Sequence, residues 1–211
     1  MCSFSHDNSN GHSWPKGWHS RGFLPHFDGG PIAQSVTFRL VDSFPAERLD
    51  AWAEELKLLS KEKMEAERRR RIEDYLDRGA GEAWLSRPDV AHMVEGALLH
   101  FDGVRYCLHA WVIMPNHVHV LLTPCQEHSL SQVLQSWKSF TAKKANALLN
   151  RQGPFWQGEY FDRFIRSEKH FEAAVSYIEN NPVKAGLCQD PEVWRFTSAH
   201  RRTRLCLERP P

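Results

Sequence analysis

The sequence lacks three features that would place it in common functional classes. No apolar run approaches the roughly 18 residues that a membrane-spanning helix needs, and the first twenty residues contain no apolar core of a signal peptide. The five cysteines include no C-x-x-C pair, so neither a zinc knuckle nor a redox couple is indicated. We therefore expect a soluble, cytoplasmic protein with reduced cysteines and no membrane partner.

Net charge is also scarce, at +1, whereas a dedicated nucleic-acid-binding domain is often far more basic. Any surface that binds a polyanion must therefore be local. Between Lys138 and Lys169, seven basic residues outweigh three acidic ones, which makes this segment the main candidate. The run from Arg68 to Arg71 also suggests DNA binding, but acidic residues precede and follow it, and we favour the alternative of a solvated helix face.

Apolar material is plentiful: 41% of the 211 residues are hydrophobic, enough for one core. Residues 1–30 are polar and rich in glycine, without periodicity, and we predict a mobile N-terminal arm there. We place a single domain at residues 31–198, with a helical insertion at about 46–100, and a basic C-terminal tail at 199–211.

The apolar periodicities predict the elements of this domain. A strand begins at Gln34, and a long helix follows Pro45 up to about Gly79, with a second helix from about Pro88. Two apolar segments joined by Pro115-Asn116, VRYCLHAWVIM and HVHVLLT, predict an antiparallel hairpin. An amphipathic helix comes next, and its predicted inward face consists of Leu130, Val133, Leu134, Trp137 and Phe140.

A short strand around FDRFIR and a helix from Glu168 to about Asn180, stopped by Pro182, complete the pattern. The order of elements predicts an α+β fold of the ferredoxin-like βαββαβ type. We expect an antiparallel sheet with helices on one face, an enlarged helical first crossover and an extra C-terminal helix.

The segment HVH carries the clearest chemical signal. On a strand, residues i and i+2 point to the same face, so His117 and His119 lie side by side and can share one metal ion. The alternative is a hydrogen-bonded, partly buried histidine without a ligand role. The apolar residues on both sides favour a metal, because two imidazoles buried without partners would be costly.

A second signal lies downstream, where Tyr177 and Asn181 are four residues apart and face the same side of a helix. Taken alone, the spacing is better explained by a core aromatic and a helix cap than by a functional pair.

Together these motifs carry a family resemblance. MPNHVHVLL, followed by FWQGEYFDRFIRSEKHF and YIENNPVKAGL, resembles the REP-associated tyrosine transposases, which are HUH single-tyrosine transposases of the insertion-sequence-200-like superfamily. The resemblance runs from about Arg21 to Ser198 and includes the insertion ending YLDRGAGEAWL.

The resemblance implies a role for each residue of the two motifs. His117, His119 and Asn181 match the ligands of a divalent metal, Mg²⁺ or Mn²⁺, and Tyr177 matches the nucleophile, carried by the extra C-terminal helix. The implied activity is transposition by cleavage and rejoining of single-stranded DNA at REP-type hairpins through a 5′-phosphotyrosine. The implied protein is a monomer associated with the nucleoid.

For contacts with DNA we single out basic and aromatic residues of the last third of the chain: Lys138, Lys143, Trp156, Arg163, Arg166 and Lys184. Trp156 can stack on an unpaired base, but a place in the core is equally compatible with the sequence.

Two other functions remain compatible with these residues. One is a domesticated protein that binds REP hairpins without cutting them. The other is a metallohydrolase in which a residue such as Asp162 joins the two histidines and activates water.

Overall fold

The computed structural model describes residues 17–20 and 25–207. The strands of the described part are β1 (Gly17–Ser20), β2 (Pro25–Asp28), β3 (Gln34–Arg39), β4 (Tyr106–Ile113), β5 (His117–Pro124) and β6 (Phe161–Phe164). The α-helices there are α1 (Ala46–Glu55), α2 (Lys61–Asp77), α3 (Pro88–His100), α4 (Leu130–Leu148), α5 (Glu168–Glu179), α6 (Asn181–Lys184) and α7 (Ser198–Leu207). A single 3₁₀ turn, Trp84–Ser86, precedes α3.

Four strands form one antiparallel sheet in the order β4-β5-β3-β6. The predicted α+β fold with an antiparallel sheet is confirmed. The β4–β5 hairpin turns at Pro115-Asn116 as predicted, and β5 pairs with β3 so that His119 lies opposite Thr37 and His117 opposite Arg39. Residues directly opposite each other share a face, so these four side chains lie on one side of the sheet.

The two faces of the sheet are covered by different helices. The first face holds the main core, where Phe38, Val118 and Val120 pack against α3 and α4. The second face carries the histidines and a smaller core, in which Val112 and Leu121 pack against Ile178 of α5. This separation decides which residues can reach the histidines.

Within the insertion, the predicted long helix is instead two helices, α1 and α2, separated at residues 56–60. The break lets α1 fold back on α2, so that Trp52 meets Phe44 with ring centroids 5.3 Å apart and Tyr75 at 6.5 Å. Phe44, Ile72 and Leu76 form a third, small core beneath. Periodicity continues across such a break, and only the tertiary contacts distinguish one helix from two.

Residues 17–20 and 25–28, which we predicted as part of a mobile arm, form the antiparallel strand pair β1–β2. The Nδ1 atom of His26 lies 2.5 Å from Oδ1 of Asp162, and the other carboxylate oxygen accepts a bond from the backbone N–H of Phe27 at 2.9 Å. These contacts attach the strand pair to β6. Strands β1 and β2 have only four residues each, too few for the alternation of apolar and polar residues by which a strand is predicted from sequence. Residues 1–16 and 21–24 of the predicted arm lie outside the described residues.

The end of the described chain is also ordered by packing. Helix α7 begins at Ser198, the last residue of the predicted domain, and includes residues 199–207 of the predicted tail. Ser198 Oγ accepts a hydrogen bond from the backbone N–H of Trp111 on β4 at 3.1 Å. Residues 208–211 of the tail lie outside the described residues. Arg202 donates to Glu179 at 2.5 Å, so one arginine of the tail has an internal partner.

Our prediction of the inward face of α4 was wrong at one position, Phe140. Phe140 is 50% exposed, whereas Thr141 is buried and its hydroxyl donates to the carbonyl of Trp137 at 2.6 Å. The start of the helix follows from its sequence, since Ser129 and Gln132 form a reciprocal capping box.

No helix among residues 17–20 and 25–207 combines the length and the apolar character required to cross a membrane.

Candidate active site

The two imidazoles of the HVH segment face the same way, as predicted. Their Nε2 atoms are 3.0 Å apart and the ring planes are nearly perpendicular, at 87°. Both side chains are 1% exposed. Burial lowers the pKa of His117 well below its usual value and lowers that of His119 to about 3. Both rings are therefore neutral at pH 7, which is the form that binds a metal.

Neighbouring side chains fix the orientation of these rings. The Nδ1 atom of His117 lies 2.7 Å from Oδ1 of Asn116, whose amide nitrogen donates to the carbonyls of Leu76 and Ala80. An amide oxygen only accepts, so His117 carries its proton on Nδ1 and leaves Nε2 bare. His119 Nδ1 lies 2.7 Å from Thr37 Oγ1, a hydroxyl that can donate or accept and that holds the ring in place. Such outer contacts are typical of histidines that bind metals.

The tyrosine of α5 lies beside this pair in the same chain. The ring centroids of Tyr177 and His119 are 5.7 Å apart. The buried Tyr177 hydroxyl has no hydrogen-bond partner within normal geometry among the described residues. Its pKa is raised, first by burial and then by the negative charges of Glu73 and Asp77, while Asn181 lowers it. Tyr177 is therefore a neutral phenol at pH 7.

Asn181 is fully buried, and neither its amide oxygen nor its amide nitrogen has a hydrogen-bond partner in the described structure. It does not belong to the helix of Tyr177 as the sequence predicted, because α5 ends at Glu179 and Asn181 opens the short helix α6. The chain still brings it close enough to Tyr177 to affect the pKa of that residue. Orphaned buried polar atoms are rare and indicate an absent partner.

The donors fit a divalent cation. Two donors bound at right angles to one octahedral ion, each at about 2.1 Å, are about 3.0 Å apart, which is the separation of the two Nε2 atoms. No group of three His, Cys, Asp or Glu side chains among the described residues is arranged to hold a metal. Asn181, the third ligand that the resemblance implies, has an amide oxygen without a hydrogen-bond partner among the described residues.

Helix α2 of the insertion covers this site. Its last residues, Leu76 and Asp77, approach Asn116 and His117, and Asp77 forms a salt bridge of 2.9 Å with Lys184. The helix ends there because Gly79 and Gly81 adopt positive φ angles of 74° and 81°. Together with α5, whose Tyr177 ring lies 5.7 Å from that of His119, the end of α2 covers the two buried imidazoles.

A cavity of about 370 Å³ opens next to the tyrosine. Its walls come from β3, β6, α2 and α5, and its polar lining includes Thr37, Arg70, Arg163, His170 and Tyr177. It lies on the same face of the sheet as the histidines, which are not among its lining residues. The cavity is large enough for a small ligand or one nucleotide.

The predicted DNA-binding residues fall into two groups. Arg163 lines the cavity and Lys184 lies over the Tyr177 ring at 5.7 Å, so both are close to the tyrosine. Arg166 is exposed and packs over the ring of Phe164, at 4.9 Å.

The α4 residues lie across the sheet, because α4 packs on the face opposite the histidines. Lys143 is exposed on that helix. Lys138 donates to the carbonyls of Gln157 and Gly158 at 2.6 Å, and burial lowers its pKa to about 8. Neither side chain reaches the tyrosine.

The prediction that Trp156 stacks on an unpaired base was wrong. Its side chain is 6% exposed, its indole N–H donates to Thr141 Oγ1 at 2.8 Å, and its ring packs edge-on against Phe38 at 4.9 Å. The core placement, which the sequence left equally open, is the correct one.

Asp162 is not available as a third metal ligand. It pairs across β3 with Val36, whose side chain belongs to the core on the opposite face from the histidines. Its carboxylate binds His26 and the backbone N–H of Phe27. The metallohydrolase that uses this residue is therefore excluded.

Sequence reasoning missed four residues that surround the site: Thr37, Glu73, Asp77 and Asn116. Asn116 had a usable signal, because an Asn directly before a histidine pair can orient the first ring. Glu73 and Asp77 had none, since forty residues separate them from the HVH motif and nothing in their helical pattern distinguishes them from other surface acids.

Comparisons with known proteins agree with this geometry. The sequence model of the family described as Transposase IS200 like matches residues 100–181, the stretch from the end of α3 to the start of α6. The REP-associated tyrosine transposase of Escherichia coli strain K12 is 30% identical over 95 residues, which are 44% of this chain and 54% of that protein.

A similar Haemophilus influenzae protein, described as a transposase of the same kind, is 26% identical over 111 residues, 48% of this chain and 60% of its own length. The matched part thus spans little more than half of either relative. A solved structure of a REP-associated tyrosine transposase bound to a REP hairpin superposes with a TM-score of 0.55 and 18% identity, covering 90% of this chain and 87% of that one. This likeness shows a common fold, and the resemblance deduced from the motifs is confirmed.

Proposed function

We propose that this chain, whose residues 100–181 match the family described as Transposase IS200 like, cleaves and rejoins single-stranded DNA at REP-type hairpins. Tyr177 is the nucleophile, and His117, His119 and Asn181 hold a Mg²⁺ or Mn²⁺ ion. One observation carries the proposal: in the same chain, the ring of Tyr177 lies 5.7 Å from that of His119, whose Nε2 atom is 3.0 Å from Nε2 of His117.

In the cleavage step, the Tyr177 oxygen forms a bond to phosphorus and the bond from phosphorus to the 3′ oxygen breaks. The products are a 5′-phosphotyrosine and a free 3′-hydroxyl. Because the ester is retained, another 3′-hydroxyl can reverse the step and join strands without a nucleotide cofactor. When bound, the cation neutralises charge on the phosphate oxygens and stabilises the leaving 3′ oxygen.

The residues around Tyr177 perform the remaining tasks. A phenol with a raised pKa is a weak nucleophile and must lose its proton during attack. Glu73 is the carboxylate whose charge acts most strongly on Tyr177, so it is suited to accept that proton. Arg163, in the adjoining cavity, and Lys184, over the phenol ring, supply positive charge for the DNA backbone.

The position of α2 implies that DNA binding is coupled to a movement of the insertion. Both imidazoles are 1% exposed beneath it, so the scissile phosphate requires α2 to be displaced. Since Tyr177 and the histidines belong to one chain, a monomer contains every residue that the reaction requires, and we propose that the protein acts as a monomer in the cytoplasm, close to the nucleoid.

The second candidate is a protein that binds REP hairpins without cutting them. The burial of both imidazoles favours it, because a protein that only binds DNA does not require access to them.

A labelled hairpin oligonucleotide incubated with the protein and Mn²⁺, then separated on a denaturing gel, tests the proposal. We expect a covalent protein–DNA species that disappears in Tyr177→Phe. Tyr75→Phe is the matched control, because Tyr75 packs against Phe44 in the insertion and its loss leaves the adduct unchanged. Cleavage that persists in Tyr177→Phe contradicts the proposed chemistry, whereas hairpin binding without any adduct in the wild type supports the non-cutting alternative.

A further inference from the structure

Helix α2 brings one carboxylate to the paired histidines. Asp77 is the last residue of that helix, its side chain is 11% exposed, and its Oδ1 lies 4.0 Å from Nε2 of His117. An insertion whose purpose the sequence did not reveal thus ends directly at the candidate metal site.

The two oxygens of Asp77 are in different situations. Oδ2 accepts a salt bridge from Lys184 at 2.9 Å, whereas Oδ1 is buried and has no hydrogen-bond partner among the described residues. Leaving a buried carboxylate oxygen unpaired is costly. Oδ1 faces Nε2 of His117, which carries no proton because the proton of that ring is on Nδ1. Two electron-rich atoms therefore lie 4.0 Å apart. A cation between them would remove this conflict.

We propose that Asp77 is an acidic anchor of the cation site, binding through Oδ1 the hydrated divalent ion that His117 and His119 hold. This inference rests on the proposed function, since it concerns the same ion. Carboxylates are preferred ligands of Mg²⁺ and Mn²⁺, and these ions retain water molecules through which a carboxylate at this distance can bind. Ion binding then draws the end of α2 towards the histidines and couples the insertion to the loaded site.

The competing explanation is purely structural. In that case Asp77 only pairs with Lys184 and thereby holds α2 against α6. The two explanations differ in what they predict for Lys184→Met. If Asp77 binds the ion, removing the lysine frees its carboxylate and removes a repelling positive charge, so Mn²⁺ binding becomes tighter or stays equal. If Asp77 only closes a salt bridge, Asp77→Asn and Lys184→Met loosen the site alike.

Calorimetric titration of the full chain with Mn²⁺ alone, in the absence of DNA, tests the inference. We expect Asp77→Asn to weaken Mn²⁺ binding by about tenfold or more, and Asp77→Glu to recover part of the affinity. Asp74→Asn is the matched control: it lies one turn earlier on α2, 3.8 Å from the same lysine, and should leave the affinity within about twofold of the wild type.

Two results overturn the inference: Asp77→Asn binding Mn²⁺ as tightly as the wild type, or Lys184→Met weakening binding as much as Asp77→Asn does. Urea unfolding of each variant shows whether a loss of Mn²⁺ binding reflects a loss of folding. If Asp77→Asn does not fold, the Mn²⁺ affinity of Asp77→Glu is compared with that of the wild type instead. His117→Ala separates the two levels of the argument. If it leaves Mn²⁺ binding intact, the proposed metal site itself fails; if it abolishes binding while Asp77→Asn does not, only the role of Asp77 fails.

Discussion

Asn116→Ala removes the side chain that links the first histidine to the insertion. The Asn116 amide donates to the carbonyls of Leu76 at 3.2 Å and Ala80 at 2.9 Å and accepts from His117 Nδ1 at 2.7 Å. The residue is 1% exposed. Its truncation breaks three hydrogen bonds and leaves the His117 N–H buried without an acceptor.

The magnitude follows from these contacts. Each neutral hydrogen bond contributes about 0.5 to 1.5 kcal/mol, and a buried donor left unpaired costs about 1 to 3 kcal/mol. The two freed carbonyls lie at the end of α2, where water can replace part of the loss. We therefore expect the free energy of unfolding to fall by about 2 to 4 kcal/mol. Because His117 also loses the contact that fixes its orientation, Mn²⁺ affinity should fall by about ten- to a hundredfold.

Urea unfolding followed by tryptophan fluorescence measures the first effect and Mn²⁺ titration the second. Asn180→Ala is the matched control: its amide also donates to a backbone carbonyl, that of Ser176 at 2.9 Å, but Asn180 is exposed. That variant should lose less than about 0.5 kcal/mol and bind Mn²⁺ normally. Equal stabilities of the two variants would refute the assignment of Asn116 as the link between the histidine and α2.

Three further outcomes are expected. Phe38→Ala, at a buried position, should cost about 3 to 5 kcal/mol in urea unfolding, while Phe140→Ala, at a half-exposed one, should change stability far less. Tyr106→Phe removes the acceptor of the buried Trp137 indole N–H, at 2.9 Å, and should cost about 1 to 3 kcal/mol in the same assay. Burial lowers the pKa of His119 to about 3 in the folded protein, whereas in the unfolded chain it is about 6.5. Between these two values the unfolded chain binds the proton more readily, so the free energy of unfolding falls as the pH is lowered from about 6.5 towards 3. His119→Asn should flatten this acid dependence in unfolding measured between pH 7 and 5, and an unchanged slope would contradict it.

Local patterns predicted the elements on which the site is built. The β4–β5 hairpin with its turn at Pro115-Asn116 followed from two apolar runs and a turn dipeptide, and α5 ended within one residue of the predicted boundary. The shared orientation of His117 and His119 followed from the period of a strand. Each of these features depends on residues that are close in sequence, so the sequence alone contains the information.

Contacts between distant segments were not predictable in the same way. The sequence was compatible with Trp156 either stacking on a base or lying in the core. Its contacts with Thr141 and Phe38 place it in the core. The division of the insertion into α1 and α2 depended on Trp52 meeting Phe44 and Tyr75.

The sequence by itself determined the strand that pairs the two imidazoles, the helix that carries the tyrosine and the family resemblance, because periodicity and short motifs encode local conformation. Only the tertiary structure decided that α2 covers the histidines and that Asp77 faces His117 with an unpartnered oxygen. The physical reason is that burial and electrostatic contact arise where chain segments far apart in sequence pack together, and their approach is set by the core between them.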